Sequence, residues 1–198
     1  MKVILPVYEM LIDEADESDL QVDAIALVDF PAIKKGFMKF AEVQAMFKIQ
    51  DEEKRIISGP LMVANQKILR VDDDGFQYEV FFSPATIRKI AIKLAKKGFQ
   101  NNVNLMHSAD MQLQGVTLFE IFQSDKERGI MPMKGFEDLA DGSLFGSMYV
   151  DNDQAWQLIK DGKVKGFSVE GNFGMRSNDK YEEQMEQIIS ILSETNFE

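Results

Sequence analysis

At 198 residues the chain is sized for one globular domain, and 45% hydrophobic residues, with fifteen Phe and only five Pro, can bury a core where a disordered chain could not. A formal net charge of −11, with no basic, aromatic-interleaved stripe to offset it, argues against direct nucleic-acid binding. The absence of cysteine excludes disulfides, thiolate catalysis and thiolate metal sites, and suits a reducing compartment.

The opening Met1-Lys2-Val3-Ile4-Leu5-Pro6-Val7-Tyr8-Glu9 carries an apolar run too short for a signal peptide, and Asp13, Glu14, Asp16, Glu17 and Asp19 follow soon after. No stretch approaches the ~20 apolar residues of a membrane span, so a chain that is neither secreted nor membrane-embedded is expected. Residues 3–12 and 22–28 read as strands, with the acidic stretch 13–19 as an exposed loop between them. Asp29-Phe30-Pro31-Ala32 breaks the pattern, and over 38–49 periodicity does not separate strand from helix. Residues 55–63 and 67–71 are strand-like, Asp74-Gly75 is a turn signal, and Phe76, Tyr78, Val80 and Phe82 alternate with polar residues, which predicts an antiparallel hairpin.

Ser83 as N-cap, Pro84 at the first helical position, apolar Ile87, Ile90, Ala91 and Leu94, and Gly98 as the stop predict a helix over 84–97. Strands follow at 102–107 and 113–123, then a charged, Gly-containing loop over 124–142, then a strand over 143–150. A short helix over 151–161 has Ala155, Leu158 and Ile159 as its stripe and Gly162 as its end, and 165–175 returns as a strand. Residues 181–192 place Tyr181, Met185, Ile188, Ile189 and Leu192 on one helical face. Many antiparallel strands with about three peripheral helices predict an α+β fold whose mostly antiparallel sheet is curled or closed into a barrel. The whole of 1–198 reads as one domain, with 1–50 open to reading as an N-terminal appendage and 180–198 as a C-terminal helix.

Chemistry narrows to His107, the one histidine, and Ser168 in Gly166-Phe167-Ser168-Val169-Glu170-Gly171. A hydroxyl nucleophile needs a base that titrates near neutrality, so any Ser/His chemistry must use His107. Each residue also has a plain structural reading. Val103, Leu105 and His107 share a strand face, which suits a core-edge histidine, and a serine between glycines suits close packing. The run is not the hydrolase elbow, because its second Gly is displaced by one and strand-like sequence follows. No paired-histidine metal spacing is present, Asp72-Asp73-Asp74-Gly75 lacks the remaining calcium-loop ligands, and nothing selects two acids for a glycosidase. No cofactor or metal is expected.

The order Asn104-Leu105-Met106-His107, Gly115-Val116-Thr117-Leu118-Phe119-Glu120, Gly146-Ser147-Met148-Tyr149-Val150, Lys160-Asp161-Gly162 and Val164-Lys165-Gly166-Phe167-Ser168-Val169-Glu170-Gly171 resembles the phage prohead maturation proteases. It is similar in particular to the XkdF-like phage serine proteases, which also carry segments like Leu27-Val28-Asp29-Phe30-Pro31-Ala32 and Ile57-Ser58-Gly59-Pro60-Leu61-Met62. The resemblance spans roughly residues 22–175.

That family is related to the herpesvirus assemblins, so the resemblance implies a curled β-barrel with peripheral helices and His and Ser on neighbouring strands. It further implies a serine endopeptidase of capsid maturation that cuts scaffold, capsid protein and itself inside an assembling prohead, in the cytoplasm of a bacterial host. The partners it implies are scaffold and major capsid proteins; a homo-oligomer is left open, and neither nucleic acid nor membrane is expected. In the assemblins a second histidine completes the triad, whereas here any third member must be a carboxylate, or the site is a dyad. Glu170 is preferred, because residues i and i+2 on a strand share a face about 6–7 Å apart. Glu120 is second: it alternates with Val116, Leu118 and Phe122, which sets a carboxylate on an apolar face. The rival reading is a non-catalytic capsid- or scaffold-associated assembly protein that keeps the fold. A third, an unrelated small-molecule-binding domain, requires a deep apolar pocket away from both residues.

Overall fold

The computed structural model describes residues 5–12, 22–28, 46–72, 74–106, 108–171 and 173–177. The helix Pro84–Lys97 (α1) forms where local chemistry demands it. Ser83 Oγ accepts from the Thr86 amide at 3.3 Å, and Gly98 closes the far end at φ 68°, a left-handed conformation that favours glycine. Thr86, Ile87, Ile90 and Leu94 are buried, with Ala91 packed at the margin. Ser83→Ala should cost about 1 kcal/mol, read as a shift in the urea midpoint. The second helix, Asp153–Lys160 (α2), is capped by Asn152 and buries Ala155, Trp156 and Ile159, so Trp156 takes the inward place expected of Leu158, which is only half-buried.

The strands are Val7–Leu11 (β1), Val22–Val28 (β2), Lys48–Asp51 (β3), Ile56–Met62 (β4), Ile68–Val71 (β5), Gln77–Phe81 (β6), Val103–Leu105 (β7), Ser108–Gln112 (β8), Val116–Gln123 (β9), Leu144–Val150 (β10), Gly166–Gly171 (β11) and Gly174–Ser177 (β12). They form three four-stranded sheets ordered β12-β1-β6-β5, β3-β4-β10-β9 and β11-β2-β7-β8. Antiparallel pairing dominates; the exceptions are β1 with β6 and β2 with β7. The architecture is α+β, but the sheets stay open: among the described residues no ring of hydrogen-bonded strands closes, which corrects the barrel alternative. Two α-helices are described, and the expected helix over 181–192 lies outside the described residues. No helix among the described residues is long and apolar enough to cross a membrane.

Three strand expectations change. Residues 102–107 shorten to β7, because Met106 takes φ 54° and the chain reverses so that Leu105 lies opposite Ser108. The span 113–123 loses its first three residues to a turn, where Gly115 at φ 76° accepts from the Asp151 amide at 2.7 Å, while β8 forms just before it. The span 165–175 divides into β11 and β12 around Phe173, whose ring meets Phe82 edge-on at 5.1 Å. Most of 38–49 lies outside the described residues, and its end enters β3. Within 1–50, β1 and β2 are interior strands of their sheets.

One core of buried side chains, including Met10, Ile25, Ile57, Ile87, Leu144 and Met148, draws on all three sheets and both helices. Where β3 begins, a Met46–Gly166 bridge ties it to β11, and the Phe47 and Phe167 rings meet at 5.0 Å. The Phe47 backbone crosses so close to Gly59 that a Cβ there would lie 2.8 Å from the Phe47 Cα, so this junction needs a glycine.

The cross-strand pair Glu9 and Arg176 links β1 to β12 as an ion pair. Burial pushes the Glu9 carboxyl upward, but the Ser83 hydrogen bond and the Arg176 guanidinium outweigh it and hold the group below its ordinary value. A depressed folded-state pKa stabilises the fold above the unfolded value of about 4.3 and is lost as pH falls through that value toward the folded one. Arg176→Ala should therefore lower the urea midpoint more at pH 7 than at pH 3.

Candidate functional site

Ser168 lies within β11, opposite Ala26 of β2, which in turn lies opposite Asn104 of β7. Side chains in register share a face, so Ser168, Ala26 and Asn104 form one row across the sheet. That row is sealed: Ser168 is 3% exposed, Ala26 0% and Asn104 5%. Phe167 and Val169, pointing the other way, are equally buried. A serine so enclosed is ordered by its surroundings, but its oxygen meets a substrate carbonyl only if something covering it moves.

His107 lies outside the described residues. The strand that leads toward it, β7, runs parallel to β2, and the Met106 amide donates to Leu27 O at 3.0 Å as the chain leaves the sheet. Because Gly166 pairs with Val28 and Phe167 with Leu27, this exit is at the Gly166 end of β11. β2 stands between β7 and β11, so these two strands are not neighbours, as the resemblance implied, but lie about 9–10 Å apart. Strand alternation cannot be carried from Leu105 to residue 107 either, because Met106 is left-handed. Glu170 pairs with Ala24 through its backbone; where its carboxylate points lies outside the described residues.

Glu120 belongs to a different place. It sits on β9 opposite Ser147 of β10, in the β3-β4-β10-β9 sheet. Its expected alternation with Leu118 fails for a local reason. Leu118 lies opposite Met148 and Glu120 opposite Ser147, so Phe119 is an extra, unpaired residue, and this bulge reverses the phase of the strand. Val116 and Leu118 point into the core, whereas Glu120 is exposed on the other face. β9 pairs with β10, whereas β7, the strand that leads to His107, pairs with β8.

On that outer face the register aligns Lys48, Ser58, Ser147 and Glu120 across all four strands. They line a cavity of about 280 Å³ with Ile49, Gln50, Met133, Lys134 and Phe136. Ser58 and Ser147 are 3% and 0% exposed, and their oxygens lie 2.8 Å apart. Ser58 also donates to Gln50 Oε1. The two serine hydroxyls and the Gln50 amide thus form one hydrogen-bonded cluster on the floor of the cavity. Lys48 Nζ donates to Gly135 O at 3.0 Å and sits 4.8 Å from the centre of the Phe136 ring. The Gly135 amide, then its own amide, and the charges of Lys48 and Lys134 hold the Glu137 carboxyl below its ordinary value. The two lysines thus share one counter-charge, while the Glu120 carboxylate has no hydrogen-bonding or ionic partner among the described residues.

Sequence reasoning missed Ser58 and Ser147, although both stand in segments that carry the resemblance. Their adjacency is a matter of strand pairing, which one sequence read alone does not supply. Comparison of the chain with protein-family models, with curated proteins and with solved structures gives no match.

Proposed function

We propose that the chain is a serine endopeptidase of phage capsid maturation, acting on scaffold and major capsid proteins, and on itself, inside the assembling prohead in the bacterial cytoplasm. One observation carries the reading: β11, which bears Ser168, and β7, which leads to His107, flank the same strand of one sheet, with Ser168, Ala26 and Asn104 in register. In this reading His107 removes the Ser168 proton as the oxygen attacks the scissile carbonyl, then protonates the leaving amine, and water releases the acyl group. Glu170 orients the imidazole; Glu120, on another sheet from Ser168, is the second candidate for that role. The closed surroundings of Ser168 suit an enzyme that is silent until assembly, where high local concentration allows turnover at modest affinity.

The same burial also favours a second reading, a non-catalytic capsid- or scaffold-associated assembly protein in which Ser168 is a packing residue. Co-expression with the capsid and scaffold proteins of the proposed assembly separates the two by intact mass. The peptidase reading predicts truncated products with the wild type and none with Ser168→Ala or His107→Ala. Full-length products under assembling conditions, or cleavage unchanged in both variants, would favour the assembly protein.

A further inference from the structure

The cavity on the outer face of the β3-β4-β10-β9 sheet lies on a different sheet from Ser168, and its lining combines apolar wall, a polar floor and charged side chains. At about 280 Å³ it is near the lower limit of ligand pockets, a size for one long side chain rather than a whole cofactor. Phe136, Met133 and Ile49 offer apolar wall to an alkyl stem, and the Ser58-Ser147 pair supplies a polar floor. The charges are uneven in effect. Lys48 is held against Gly135 O and the Phe136 ring, and Glu137 supplies one counter-charge near the two lysines, whereas the Glu120 carboxylate has no partner among the described residues. A net charge of −11 adds a long-range bias toward cationic partners.

We infer that this groove is a binding site for a lysine or arginine side chain of a peptide partner, with the stem along Phe136 and Met133 and the cationic head on Glu120. The site lies on another sheet from Ser168, so Ser168→Ala should leave it intact. Such a pair should weaken as salt is raised, because Glu120 lies at an exposed rim.

The test is a titration of the ¹⁵N-labelled chain with acetylated, amidated pentapeptides that place Lys, Arg, norleucine or Glu between alanines. The Lys and Arg peptides should bind at least about tenfold more tightly than the norleucine peptide and shift the amides of Ser147 and Glu120. Glu120→Gln should remove most of that advantage, while Glu127→Gln, on the turn Lys126–Arg128 outside the groove, should retain it. Unchanged thermal midpoints would show that both variants fold. Equal binding of the Lys and norleucine peptides, preference for the Glu peptide, shifts that map elsewhere, retention of the advantage in Glu120→Gln, or no binding at millimolar peptide would each overturn the assignment.

Discussion

Ser168→Ala is expected to reduce peptide-bond cleavage by at least about 10³-fold, and His107→Ala by a similar factor. In the proposed mechanism the loss is large because nucleophile and base act as a unit: without the hydroxyl there is no acyl intermediate, and without the imidazole the hydroxyl keeps its proton at neutral pH. The double variant should therefore be little worse than either single one. Additive losses would mean that the two residues do not serve one step. Ser168 is also buried, so stability must be read alongside rate; removing one oxygen from a packed strand should leave a cooperative unfolding transition in place.

Phe145→Ala carries the largest expected effect on stability, about 3–5 kcal/mol. Phe145 is 0% exposed on the central strand β10, with Phe122 stacked at 5.4 Å and Phe136 at 6.3 Å. Deleting the ring leaves a cavity between a sheet and the segment that covers it, and it removes the backing of Phe136, one wall of the groove. Chemical denaturation should show the loss as a drop in midpoint, and the thermal midpoint should fall by roughly 10 °C. Phe119→Ala, at a residue 50% exposed on the bulge, should change stability by no more than about 0.5 kcal/mol. Similar effects at the two positions would contradict the packing described.

What was legible in the sequence was local. The Ser83-Pro84 start and Gly98 stop delimit α1 because capping and left-handed φ are settled within a few residues. The turn between β5 and β6 was legible for the same reason: Asp72 Oδ1 accepts from the amides of Asp74 and Phe76, an arrangement confined to that stretch of chain. Non-local placement was not legible. The insertion of β2 between β7 and β11 joins segments far apart in sequence, and the Phe119 bulge exists only relative to β10. Glu120 shows the consequence, since one unpaired residue moved it from the expected apolar face to the rim of a cavity.

The central claim is that Ser168 is a nucleophile activated by His107, and a fluorophosphonate probe tests it most directly. The probe should be added during co-expressed assembly, with the modified residue located by peptide mass. The account predicts that, under conditions where cleavage occurs, serine displaces fluoride at Ser168, that cleavage stops as the adduct forms, and that His107→Ala prevents both. Continued cleavage with Ser168 unmodified, or an adduct at another serine that tracks the loss of cleavage, would contradict it.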